Sequence, residues 1–213
     1  MKIYPECFPC FFKQTLSAAQ RAIDDERVHF EILNSVMESV LHLPLAEITP
    51  AEVGHIIYQT IAEMSHTDDP YSEVKKTSNR LALDLYPQLK KIVADSSDPL
   101  LTACKLAIAG NIIDWGPVSG THDLDSVIER ALTSPLAIDD YEEFRRSIDS
   151  SSRILYIGDN AGEIVFDRVL IEELRRIKDF DIHFAVRERP VINDATMEDA
   201  VFVGMGKVAN IVS

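Results

Sequence analysis

The stretch RILYIGDNAGEIVFDRVLIEELRRIKDFDIHFAVRERPVINDAT, Arg153 to Thr196, limits the fold more than any other part of the chain. An apolar run stops at Gly158-Asp159-Asn160-Ala161-Gly162-Glu163. A long helical pattern follows, and a second apolar run leads to Asn193-Asp194. Apolar runs of strand length on either side of a helix-period segment predict a strand-helix-strand unit, and a helical crossover makes the two strands parallel. In open α/β sheets ligands gather at the carboxyl ends of strands, where loops meet helix N-termini. The acidic and amide groups at both strand tips are therefore where function is sought.

Before this unit, from Cys7 to about Leu132, the pattern is almost wholly helical. Phe11, Leu16, Ala19 and Ile23 trace one apolar stripe, and Phe30, Leu33, Val36, Met37 and Val40 trace another. Thr49-Pro50-Ala51-Glu52 has the form of a capped helix start, leading into a helix from Val53 to Met64. The next helix is expected from Pro70 to Tyr86, limited by Pro87. Asp98-Pro99 opens another over Leu100 to Ile108, which Gly110-Asn111 breaks into a turn. Shorter helices follow over Asp123 to Leu132 and Asp139 to Asp149. The expected division is a mainly helical region over 1–150 and, over 151–213, an α/β unit that begins a largely parallel sheet. The fold class is thus α/β. Val208 to Ser213 reads as a third strand with nothing after it to cover the sheet. The expectation is a chain truncated at its C-terminus, completed by a missing segment or by a homo-oligomeric partner.

A formal charge of −14 and a pI near 4.8 repel a phosphate backbone, and no segment concentrates Lys and Arg, so no nucleic-acid partner is expected. The N-terminus has no signal-peptide pattern, and nowhere do roughly 18 apolar residues run together, so no membrane partner is expected and the protein reads as cytoplasmic. Three cysteines, two of them in Cys7-Phe8-Pro9-Cys10, suit a reducing compartment. That pair is open to three readings: a redox couple, half of a metal site, or simple packing.

Asp159 and Asn160 follow the first strand directly, and Gly162 permits a tight turn into the helix. A charged and a neutral oxygen side by side suit a hard divalent cation. Asp194 lies just past the second strand. Since adjacent strands run roughly 4.8 Å apart, Asp159, Asn160 and Asp194 can surround one ion and leave positions open for a reactant. The competing reading is that Asn160 and Asp194 only cap helices. Glu163 is either a general base, or an acceptor supporting the site, or a solvated first-turn glutamate. Whether water or Asp159 attacks is open, with water favoured. Tyr71, Lys75 and Asn79 recur every four residues on one helix face and are candidates to meet a ligand, where Lys75 either offsets the charge of an anion or is a solvated lysine like Lys76 beside it. Arg187 and Arg189 leave the second strand close to Asp194 and are candidate contacts for an anionic group, Arg187 being nearer the tip.

Five segments occur in a fixed order: ECFPC near the N-terminus, DPYSEVKKTSN at 69–79, AGNIIDWG at 109–116, GDNAGE after the first strand and VINDAT after the second. Together they resemble the metal-dependent damage-control phosphatases, a family long catalogued as a domain of unknown function, and within it the prokaryotic branch with an N-terminal CxxC. The resemblance implies a helical region packed on a Rossmann-like three-layer α/β domain, begun by residues 151–213, and a divalent metal (Mn, Mg, Co or Ni) held there by Asp159, Asn160 and Asp194. It also implies a substrate-facing role for Asn111 and Asp114, and hydrolysis of small phosphorylated metabolites such as sugar phosphates or damaged nucleotides. Members of the family continue past the position of Ser213 with a Lys- and Gly-containing phosphate-binding segment. Two other classes compete: a nucleotide- or methyl-donor-binding enzyme, against which GDNAGE lacks G-x-G-x-x-G spacing, and a non-catalytic binding module.

Overall fold

The computed structural model describes residues 2–44, 47–113 and 124–213. By compactness the chain divides into two units, Met1–Glu73 with Arg189–Asn193, and Val74–Glu188 with Asp194–Ser213.

The first unit is built on α1 (Cys7–Ala22), α2 (Glu26–Leu41) and α3 (Pro50–Ser65). Thr49 caps α3 as its sequence predicts. The Glu52 N–H donates to Thr49 Oγ1 at 3.3 Å, and Glu52 Oε2 accepts the Thr49 N–H at 2.7 Å. The core is Phe11, Ala18 and Ala19 of α1, Ile32, Val36 and Val40 of α2, and Val53, Ile57 and Ile61 of α3. This corrects the expected stripe of α2: Phe30 is 61% exposed and Met37 lies near the surface. Two residues turn a helix by roughly 200°, so once Ile32 faces inward Phe30 must face out. Leu16 of α1 is likewise at the surface, and Thr15 takes the buried position.

The second unit takes in most of α4 (Ser72–Ala94), then α5 (Pro99–Ile112), α6 (Leu124–Thr133) and α7 (Tyr141–Ser150). An alternating part follows: β1 (Arg153–Ile157), α8 (Glu163–Ile177), β2 (Asp181–Ala185), α9 (Met197–Phe202), a single 3-10 turn (Met205–Lys207) and β3 (Asn210–Val212). The strands form a parallel sheet in the order β1-β2-β3, with Tyr156 level with Phe184 and Phe184 level with Ile211. The α/β class, the crossover through α8 and the third strand are as the sequence implies. One sheet face buries Ile182 and Phe184 under α8, which is itself buried on most sides; the other presents Leu155 and Ile157, 66% and 76% exposed.

Two helix ends differ from expectation. Pro87 does not limit α4, which runs on to Ala94. A proline inside a helix costs about 3 kcal/mol, but Leu89 and Val93 beyond it are buried almost completely, and burying two such side chains returns roughly as much. Gly110 and Asn111 do not break α5 either; both lie within it. A Cβ built on Gly110 would stand 2.9 Å from Phe166 Cβ and 3.0 Å from Cγ, so this glycine is where α8 approaches the α5 backbone. The apparent helix breaker is a contact point between helices.

Candidate active site

The site grows from the tip of β1. Sheet pairing continues one residue past the strand, with Gly158 N donating to Ala185 O at 2.9 Å. A Cβ at 158 would fall 2.4 Å from Phe184 Cζ, so glycine is required for the chain to pass over that ring. The next two residues are then drawn to the end of β2. Ala195 N donates to Asp159 O at 2.7 Å, and Asn160 forms an antiparallel bridge with Asp194. Gly162, at φ 88°, turns the backbone into α8. The two tips are thus joined through the backbone, and Asp159, Asn160 and Asp194 become neighbours.

Glu163 is buried at the start of α8 and gathers the donors around it. Its Oε2 accepts from Asn111 Nδ2 at 2.9 Å, Asn160 Nδ2 at 3.0 Å and the Asn160 N–H at 3.3 Å. Asn111 Nδ2 also lies 3.3 Å from Asp159 Oδ2. Glu163 is therefore not a solvated first-turn glutamate. Nor does Asn160 cap α8 through its side chain: the cap position is Gly162. Asp194 does not cap α9, whose start is closed by Thr196 and Asp199. Asp194 instead accepts from Arg187 Nε at 2.7 Å, an arginine whose side chain is otherwise half exposed.

Behind the tips runs a buried polar strut. Lys75 Nζ donates to Asp199 Oδ2 at 2.8 Å, Asn79 Nδ2 to Asp199 Oδ1 at 2.9 Å, and Asn79 Oδ1 accepts the Gly162 N–H at 2.8 Å. Asp199 Oδ2 also takes the Thr196 N–H and hydroxyl. One turn of α4 thereby grips both the glycine turn and the start of α9.

The model of the damage-control phosphatase ARMT1-like domain matches residues 3–213. The chain belongs to that family. It is 31% identical over 213 residues to the damage-control phosphatase PH1575 of Pyrococcus horikoshii, which covers all of this chain and 73% of that one. It is 32% identical over 214 residues to a damage-control phosphatase of Archaeoglobus fulgidus, covering 99% and 73%. An uncharacterised protein of Methanocaldococcus jannaschii is 34% identical over 217 residues, covering 100% and 71%. The crystal structure of a DUF89-family protein from P. horikoshii superposes with a TM-score of 0.90 at 31% identity, covering all of this chain and 74% of the other. The names of these damage-control phosphatases support a phosphatase role.

Among the described residues of this family member, no three His, Cys, Asp or Glu side chains converge as a metal cage, and no helix is long and apolar enough to cross a membrane. The oxygen set at the tips is of a different kind, two aspartates with an amide between them, and it fits a hard cation. Its electrostatics agree. Burial lifts the Asp194 carboxyl above the usual aspartate range, Arg187 opposes this and the charge of Asp159 adds to it. A cation between the two aspartates would relieve that repulsion. At Asp199 burial also disfavours charge, but Lys75 and Thr196 outweigh it and hold the carboxyl below its usual range.

Of the remaining sequence candidates, Asp114 lies outside the described residues, and Arg189 belongs to the first unit. Cys7 and Cys10 are free thiols at the very start of α1, Cys10 exposed and Cys7 accepting the Tyr4 N–H at 3.4 Å. Asp199 is the residue that sequence reasoning missed. Its signal was present as Thr196-x-x-Asp199, the spacing of a capping box.

Proposed function

We propose that this chain hydrolyses small phosphate monoesters, using a divalent cation held by Asp159, Asn160 and Asp194. The observation that supports the reading is the backbone junction of the two strand tips, which makes Asp159, Asn160 and Asp194 neighbours beside a helix N-terminus. A cation there supplies Lewis-acid neutralisation of a phosphoryl group. Phosphoryl transfer otherwise asks mainly for positioning and charge complementarity.

The protein's own groups meet those needs. Arg187 uses Nε on Asp194, which leaves the rest of its guanidinium fork for phosphate oxygens. The amino end of α8 adds a favourable dipole for an anion. Asn111 and Asn160 are oriented by Glu163 Oε2, and Glu163 Oε1 is left to take a proton from attacking water. Water is the nucleophile in this reading, and Asp159 serves as a ligand. Lys75 and Asn79 hold the loop in place from behind.

The test is release of 4-nitrophenol from 4-nitrophenyl phosphate with added manganese. Chelator and Asp159→Ala should each abolish it. Turnover that survives the chelator rejects the metal, and absence of turnover with manganese, magnesium, cobalt and nickel rejects the phosphatase.

A further inference from the structure

A cavity of about 520 Å³ opens beside Glu163 and Asn111, within the range typical of small-ligand sites. Its walls are Ile108 and Ile112 of α5, Phe144 of α7, Tyr156 of β1 and Leu170 of α8. Ile108 and Ile112, one helical turn apart, are 48% and 66% exposed, so two branched apolar side chains meet water at its rim. Besides Glu163, whose Oε2 is taken up by Asn111 and Asn160, a second buried acid lines it, Asp167, 3% exposed. Its Oδ1 accepts the Tyr156 hydroxyl at 2.6 Å, and its other oxygen has no hydrogen-bond partner among the described residues. A buried carboxyl with an uncommitted oxygen on the wall of an apolar cavity is a polar anchor awaiting a ligand group.

We infer that this cavity receives the alcohol part of the phosphate ester, and that it selects an apolar body bearing one hydrogen-bonding group over a polyhydroxylated one. The inference rests on the phosphatase reading. Glu163 and Asn111 belong both to the strand-tip cluster and to the cavity lining, so an ester with phosphorus at the tips has its bridging oxygen at the cavity mouth. In hydrolysis a water oxygen joins phosphorus, the ester P–O bond breaks, and the alcohol departs with a proton. What departs lies against isoleucine, leucine and aromatic rings. A sugar there would leave most of its hydroxyls without partners, which buried polar groups do not tolerate. Asp167 provides for one such group.

The test uses the full chain with manganese and 1-naphthyl phosphate. Ile108→Asn and Ile112→Asn, both at the rim, should each raise KM about fivefold or more, while the inhibition constant of inorganic phosphate stays within about twofold. An unchanged KM overturns the inference, and so does an equal loss of phosphate affinity, which would place these residues at the phosphoryl site. Among dihydroxynaphthalenes at least one isomer should bind about five times more tightly than 1-naphthol, and Asp167→Ala should erase that gain; no such isomer, or a gain that survives, refutes the anchor. A separate arm reads the methyl resonances of Ile108 and Ile112 during titration with 1-naphthol alone. If they shift although no ester is hydrolysed, the cavity assignment stands and the phosphatase reading falls. If they do not shift, the cavity assignment falls, whatever the protein hydrolyses.

Discussion

Gly110→Ala tests whether α5 and α8 meet as closely as the site requires. Alanine is favoured over glycine inside a helix by about 1 kcal/mol, so propensity alone predicts stabilisation. Against this, the new Cβ would stand 2.9 Å from Phe166 Cβ and 3.0 Å from Cγ. Carbon atoms settle at roughly 3.5–4.0 Å, so the helices must part by about 0.7 Å. Phe166 is fully buried, and its Cβ is fixed to the α8 backbone and cannot rotate aside. Overpacking of this kind costs about 1–3 kcal/mol. Gly54 of α3 provides the control, since a Cβ there meets nothing within 4 Å. Gly54→Ala should therefore be stabilising by about 0.5–1 kcal/mol. The propensity gain is common to both variants and cancels in their difference, leaving the overpacking of about 1–3 kcal/mol. Urea denaturation followed by far-ultraviolet circular dichroism, with unchanged m-values, measures it. Equal stabilisation by the two substitutions would show that α8 does not crowd α5. The same displacement should lengthen the Asn111–Glu163 bond and reduce turnover of 4-nitrophenyl phosphate.

Lys75→Met strands the buried Asp199 carboxylate and should cost about 3–5 kcal/mol at neutral pH in urea titrations; under 1 kcal/mol would refute the strut. Because the Asp199 carboxyl is held below its usual range, the stabilisation is present above the unfolded value of 3.8 and fades as pH falls through the lower folded value, so the deficit should shrink in acid. Asp167 behaves oppositely: burial pushes its carboxyl up to about 8, the Tyr156 bond opposes this, and Glu163 and Asp159 add to it. The folded chain keeps a proton that the unfolded chain releases near 3.8, so its contribution falls as pH rises toward 8. Asp167→Asn should flatten the fall of melting temperature over that window, and a parallel profile would refute the assignment. Thr49→Ala removes the α3 cap and should cost about 1 kcal/mol, read by the same denaturation.

The strand tips were legible because every signal that makes them is local: apolar runs, a glycine turn, and polar residues placed directly after them. Helix starts at Thr49 and Asp98 were legible for the same reason, each being a side chain closing on its own first turn. What escaped depends on residues far away in sequence. Lys75 and Asp199 are 124 positions apart, and nothing near Lys75 distinguishes it from its neighbour Lys76. Gly110 read as a breaker because the sequence around it does not contain Phe166. Pro87 read as a terminus because its penalty is local, whereas the burial of Leu89 and Val93 that offsets it belongs to the assembled unit. On α2, apolar residues outnumber buried positions, and only packing chooses Ile32 over Phe30.

The strut from Lys75 and Asn79 bears on how a reactant would be received. With Lys75 and Asn79, one turn apart on one helix, gripping both the glycine loop and the head of α9, the strand-tip edge acquires its rigidity as the chain folds. Little ordering remains to oppose capture of a substrate. Such a centre should bind at rates set by diffusion and charge, with free and occupied forms nearly superimposable at residues 158–163.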